Sequence, residues 1–281
     1  MGGAANATDP LSVGWHADLS IVLGTVVLVG WYGWAMRRLS VDERPTQRQV
    51  LYFAGAIVAV VVALASPLHD LGEQYLFTAH MAQHLLLTLA MPPLLLASLT
   101  PGMVRPLLQP DWLFRLVRWV TRPFPAFVAC NVVFTIAHLP NLYDLTLRNH
   151  NVHIVEHLLF MGTAIVLWWP LLSPLPELPR ISYALQLLYI FLQVLPGSLV
   201  GGLITNTQTP IYAFYAAAPR IVDLTPVQDQ QLGAIVMWVG GGTFWLIAFT
   251  VVFFIWARQD AAEERRRNLV LVIPAEPHGR R

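Results

Sequence analysis

Apolar residues in this chain do not alternate with polar ones; they come in long, nearly continuous runs separated by short polar segments. Runs of spanning length cover residues 19–36, 50–66, 74–98, 125–139, 150–172, 182–204 and 231–257. A bilayer core takes about 20 helical residues to cross. Lipid offers backbone amides no partner, so each run is expected to be helical. A β-barrel would need alternating polarity, which these runs lack. The pattern predicts an all-α fold, a polytopic transmembrane bundle of about seven helices. Residues 1–18 read as an outer N-terminal segment, 19–257 as the membrane domain and 258–281 as a cytoplasmic tail.

Composition agrees. The 281 residues are 56% hydrophobic and 12% charged, where soluble domains carry about 25% charged residues. That excludes an ordinary cytoplasmic globule, a disordered chain and a nucleic-acid binder. The one cysteine, Cys130, excludes a disulfide framework and a Cys-based metal cluster within one chain. All 17 basic residues are arginine, which excludes lysine-dependent Schiff-base chemistry. No basic leader or Ala-x-Ala site precedes the first run, so no cleaved signal peptide is expected.

Arginine placement sets the orientation. Fifteen of the 17 fall in the 36–49, 99–124 and 173–181 loops and the tail; Arg148 and Arg220 lie on the other side. The positive-inside rule then puts the N-terminus outside and the C-terminus in the cytoplasm. The Pro92-Pro93 pair is expected to bend or break the third span, and Pro196-Gly197 the sixth. Gly201-Gly202 and Gly240-Gly241-Gly242 are read as points of close helix approach.

On that topology the histidines are lopsided. Only His278 is cytoplasmic; His16, His69, His80, His84, His138, His150, His153 and His157 all fall in the outer leaflet or at the outer surface. His80 and His84 differ by about 40° around a helix and about 6 Å in rise. His150, His153 and His157 fall within about 60° of one another. Asn131, Thr135 and His138 also share a face. An ionisable group in a span is costly and faces the bundle interior with a partner or a task. A lone histidine at a helix end is ordinarily an interfacial residue. Five histidines plus Glu156 on three outer helix ends point instead to metal or cofactor ligation.

Neutral imidazole suits Zn, Cu, Fe and Ni, and a nearby thioether favours Cu(I). Copper is the preferred ion, although Met81, Met161 and Met237 are each as well read as core fillers. The run His153-Ile-Val-Glu156-His157 matches the H-x-x-E-H zinc-peptidase pattern. A pattern with three fixed positions arises easily, and its third ligand would have to come from another helix, so peptidase chemistry is set aside. Haem is the stronger rival: His84 facing His153 or His157 would provide bis-histidine ligation. Copper transport across the membrane ranks below both, because the inner span halves offer few polar residues beyond Gln186 and Gln193.

The same residues carry a resemblance. The run from His80-Met-Ala-Gln-His84 to Pro92-Pro93 resembles a segment of the CtaG-type assembly factors of caa-type cytochrome c oxidase. So do His138-Leu-Pro140-Asn-Leu-Tyr143-Asp144, His150-Asn-Val-His153-Ile-Val-Glu156-His157, Trp168-Trp169-Pro170 and Asp229-Gln230-Gln231-Leu-Gly233 with Met237-Trp238. The similarity extends over roughly residues 15–257. It implies a multi-span protein of the bacterial plasma membrane that helps assemble a terminal oxidase and is associated with copper-centre maturation. The implied partners are oxidase subunits and a periplasmic or extracellular copper carrier, with no catalytic step of its own. The expected metal site has His80 and His84 facing His153 and His157. His138 and His150 complete or gate it, and Glu156 orients a ligand imidazole. The 205–230 loop, with Tyr212, Tyr215, Arg220, Asp223, Asp229 and Gln230, is expected either to lie over the site as a lid or partner-docking surface or to form an amphipathic interfacial segment.

Overall fold

The computed structural model describes Trp15 and residues 18–272, with side chains as far as Asn268. His16, His278 and the last two arginines lie outside the described residues, as does most of the 1–18 segment. The described chain is helical, with no strand among the described residues. Six helices are long and apolar enough to cross a membrane, or seven if one bent pair counts as a single span. They are α1 (Leu19–Arg38), α2 (Gln47–Ala65), α4 (Phe77–Ser98), α8 (His150–Leu172), α9 (Tyr183–Thr205) and α11 (Pro226–Asn268). The bent pair is α5 (Asp111–Val120) with α6 (Pro123–Ala137), which meet at 76°. Three shorter helices, α3 (Pro67–Gln74), α7 (Pro140–Arg148) and α10 (Ala213–Ala217), sit between spans.

The fourth span of the sequence reading, 125–139, is therefore a 15-residue helix, roughly 22 Å long at 1.5 Å per residue. That is short of the roughly 30 Å hydrocarbon core. Its partner α5 falls where the sequence pattern predicts a loop. It carries Trp112, Leu116 and Trp119 on one exposed apolar stripe, with Arg115 and Arg118 beside them. Such a helix has the make-up of an interfacial segment, and together with α6 it is long and apolar enough to count as one bent span.

Local sequence explains the ends. Thr46 and Gln49 form a reciprocal capping box that starts α2. Ser66 caps α3 through the Leu68 amide, with Pro67 in the first turn. Asn149 accepts the amides of Asn151 and Val152 to start α8. Thr225 and Gln228 form a second capping box ahead of α11.

The first turn of α4 has no cap of its own. Asp229, from the first turn of α11, supplies it: one carboxylate oxygen accepts the Phe77 amide at 2.9 Å and the other the Thr78 amide at 3.1 Å. Thr78 Oγ1 also donates to the Asp229 carboxylate at 2.7 Å. Gly233, one turn further along α11, makes this approach possible. A Cβ there would collide with the Phe77 ring and come within 3.0 Å of the Thr78 nitrogen.

Of the expected bend or break, the break at Pro92-Pro93 is absent: Phe77–Ser98 runs as one helix. A π turn over Leu86–Ala90 absorbs the misfit, with the Met91 amide reaching back to Leu86 O. Pro92 has no N–H for the Thr88 carbonyl, and Trp168 Nε1 of α8 donates to that oxygen at 3.1 Å. Pro196 is likewise carried inside an uninterrupted α9. The central helix α4 packs against α2 and α8 chiefly through its π turn and C-terminal half, and against α3 and the start of α11 at its histidine-bearing end.

Candidate metal centre

The site is built where α3, α4, α8 and α10 meet. His80 and His84 project from the first two turns of α4, His153 and His157 from the first two turns of α8. Each pair has the i, i+4 spacing that stacks two side chains on one helix face. Ligand nitrogens of His80, His84 and His157 all lie within 4.8 Å of one another, and the three residues are buried. His80 Nε2 and His84 Nε2 are 2.8 Å apart. The His84 and His157 ring centroids are 5.6 Å apart.

The proton positions follow from counting donors. Tyr215 Oη lies 2.6 Å from the Gly72 carbonyl oxygen, so its single proton is donated there. The same Oη is 3.1 Å from His80 Nδ1, and it must accept from that nitrogen. Nδ1 therefore carries the proton and His80 Nε2 presents a bare lone pair toward His84. In the short contact between the two Nε2 atoms, His84 is then the donor. Burial pushes the Tyr215 phenol well above its ordinary value, reinforced by Asp229, Glu73 and Glu156. It stays protonated, as this role needs. Gly72 brings α3 against α4 here: a Cβ would stand 3.0 Å from the His80 Cα.

The other expected site residues divide. His153 adjoins the cluster, its ring centroid 4.1 Å from that of His157 and 5.7 Å from that of His80. Its Nε2 is 2.9 Å from Glu73 Oε1. Glu156 is buried, but its Oε2 is 3.9 Å from His153 Nδ1, too far to hold that imidazole by a hydrogen bond. His138 stands apart, with Phe160 between it and His84; the Phe160 centroid is 6.5 Å from His138 and 4.7 Å from His84. Its Nδ1 donates to Phe134 O at 2.7 Å. With His84, Met81, Met237 and Asn131 it lines a cavity of about 100 Å³. His150 is the outlier: its side chain is 60% exposed and its Nε2 is 3.4 Å from Asp18 Oδ2. As the first residue of α8, it sits at the helix mouth and away from the cluster.

Two contributors, Glu73 and His69, lie outside the metal set expected from the sequence, where His69 counts only among the outer histidines. Glu73 Oε1 is 3.0 Å from His69 Nδ1 and 2.9 Å from His153 Nε2, a carboxylate between two imidazoles. Burial alone would raise the Glu73 carboxyl, but the contacts and charges of His153 and His69 outweigh it and hold it well below its ordinary value. Burial opposes the His69 charge, yet Glu73 and the charges of Asp70 and Asp18 leave its imidazole raised. The available signal was His69-x-x-x-Glu73, an i, i+4 pair just after the helix start at Ser66-Pro67.

The 205–230 loop does lie over the cluster. Asp144 accepts the amides of Ala213 and Phe214, each at 3.1 Å, which fixes α10 so that Tyr215 reaches His80. Tyr212 Oη donates to His138 O at 3.1 Å, and Gln230 ties back to the Ile211 amide at 2.8 Å.

Comparison with known proteins places this geometry in context. Residues 30–259 match the family model described as cytochrome c oxidase caa3 assembly factor (Caa3_CtaG). Among curated proteins, uncharacterized proteins of Mycobacterium bovis and Mycobacterium tuberculosis are each 25% identical over 273 residues, which is 90% of this chain and 41% of theirs. One from Mycobacterium leprae is 24% identical over 265 residues, 88% of this chain and 40% of its own. The chain thus spans about two fifths of the curated relatives it matches. No solved structure matches it significantly.

Proposed function

This chain belongs to the cytochrome c oxidase caa3 assembly factor family, and from that premise we propose that it binds copper at the outer membrane face and hands it to a terminal oxidase. The cargo is held by His80, His84 and His157. The observation that carries this reading is the convergence of three buried imidazoles within 4.8 Å, one with its lone pair fixed by Tyr215. A cation entering between the Nε2 atoms of His80 and His84 sends the His84 proton to its own Nδ1, which has no hydrogen-bond partner among the described residues, so both rings stay neutral. Protons compete for the same nitrogens, and loading weakens as pH falls. His153 stands beside the triad as an exchange ligand; His138 and Glu156 shape its surroundings, and His150 marks the surface. Thioethers lie close by: Met81 lines the cavity against His84, while Met91 and Met161 line the groove against His157. They add affinity for copper, while the three imidazoles accept a divalent ion such as zinc as well.

With the arginine-rich loops in the cytoplasm, the triad lies in the outer leaflet of the bacterial plasma membrane, facing the compartment of an extracellular copper carrier. The chain moves an ion between ligands and breaks no covalent bond. The haem alternative has less support: His80, His84 and His157 pack ring against ring, with centroids 4.2 to 6.4 Å apart, leaving no slot for a macrocycle among them. Metal analysis and an absorption spectrum of detergent-purified protein test this. Wild type is expected to retain copper through dialysis without a Soret band, and the His80→Asn, His84→Asn double variant to lose it. An Arg118→Gln control should keep it. Equal copper in both variants, or a Soret band, would overturn the reading.

A further inference from the structure

We infer that His69, Glu73 and His153 form a second cation site, outward of the triad, which takes a divalent ion from solution and passes it inward. The inference rests on the triad being a metal site. Glu73 Oε1 is 3.0 Å from His69 Nδ1 and 2.9 Å from His153 Nε2. With metal–nitrogen and metal–oxygen bonds of about 2.1 Å, such separations correspond to ligand angles of roughly 90°. Because the carboxylate lies between the rings, an ion held on Glu73 Oε1 draws both rings, now 6.4 Å apart by centroid, in toward it.

Accessibility separates the two sites. Side-chain exposure is 25% at Glu73 and 13% at His69 and falls to 5% at His153, which is as buried as His80, His84 and His157. A groove of about 420 Å³ joins Asp18 and His150 at the surface to His69, Glu73, His153 and His157. The chemistry differs as well. Two imidazoles and a carboxylate make a net anionic set suited to Cu(II) or Zn(II), while the all-imidazole triad is neutral and buried. The His153 ring, 4.1 Å by centroid from that of His157, is the ligand both sites can share in transfer.

Zinc chloride is the probe, applied to the full chain in detergent, with equilibrium dialysis for content and stopped-flow against a zinc indicator for rate. Wild type should bind two equivalents, one of which a weak chelator strips rapidly. Glu73→Gln should keep one equivalent and load it at least tenfold more slowly; His69→Gln should behave alike and carries the test if Glu73→Gln does not fold. The His80→Asn, His84→Asn variant should keep only the labile equivalent. Wild type saturating at one equivalent overturns the inference. So does wild-type content and rate in both outer variants, or loss of all zinc from a folded Glu73→Gln protein. Two equivalents in the His80→Asn, His84→Asn variant instead refute the triad, leaving the Glu73→Gln result to decide the outer site.

Discussion

Replacing Asp229 with alanine should unseat the helix that carries His80 and His84, although Asp229 touches neither. Its carboxylate accepts from two backbone amides and one hydroxyl at the start of α4, at 2.9, 3.1 and 2.7 Å, in a place with no solvent exposure. Water cannot replace it there. Hydrogen bonds to a charged group are worth about 1.5–3 kcal/mol each, and a buried donor left without a partner costs about 1–3 kcal/mol. Two orphaned amides therefore set the loss at about 3–5 kcal/mol, more than a hundredfold in the folded-to-unfolded ratio. An asparagine side chain at this position would keep one acceptor oxygen but aim an amide N–H₂ at the second backbone N–H, so Asp229→Asn should lose roughly half as much. Reversible unfolding in mixed micelles, with increasing denaturing detergent, measures both. A loss below about 1 kcal/mol for Asp229→Ala, inside the range of an ordinary exposed cap, would refute the reasoning.

Three further outcomes follow from individual contacts. Tyr215→Phe removes the acceptor that fixes the His80 proton on Nδ1; copper affinity in a competition titration should fall about 10- to 100-fold with stoichiometry unchanged. Trp168→Phe leaves the Thr88 carbonyl, already deprived of its helical donor by Pro92, without the indole; a loss of about 1–3 kcal/mol in the same unfolding assay is expected. The Glu73 pairing gives the metal-free protein a pH-dependent increment of stability. Because the Glu73 carboxyl is held below its ordinary 4.5, its contribution is in place above that pH and lost as pH falls through the lower folded value. Because His69 is raised above 6.5, its share is complete below that pH and lost as pH rises past the folded value. The pair should therefore stabilise most between about pH 4.5 and 6.5, and Glu73→Gln should flatten the fall of the unfolding midpoint on either side of that window.

Much of this architecture is legible along the chain, because spans are long and apolar. The expected 150–172 and 182–204 runs match α8 and α9 to within a residue at each end. The short helices α3 and α5 escape that reading: at 8 and 10 residues, their mixed polarity looks like loop. Proline alone is too simple a signal, since a π turn and an indole donor from another helix can satisfy what Pro92 leaves open. Within the site, His80, His84 and His157 could be foreseen because helix periodicity and depth are properties of the sequence. His150 shares that periodicity but is the first residue of its helix, so the same spacing leaves it at the surface. Glu73, Tyr215 and Asp229 act across distances of up to 152 positions in the chain, and only tertiary packing brings such partners together.

The central claim, that His80, His84 and His157 grip one copper ion, is tested most directly by copper K-edge X-ray absorption on protein loaded with a single equivalent. The expected spectrum contains about three nitrogen scatterers at roughly 2.0 Å with the outer-shell scattering of imidazole rings, lost in His157→Asn and unchanged in His150→Asn. A first shell without imidazole scattering, or one indifferent to His157, would contradict it.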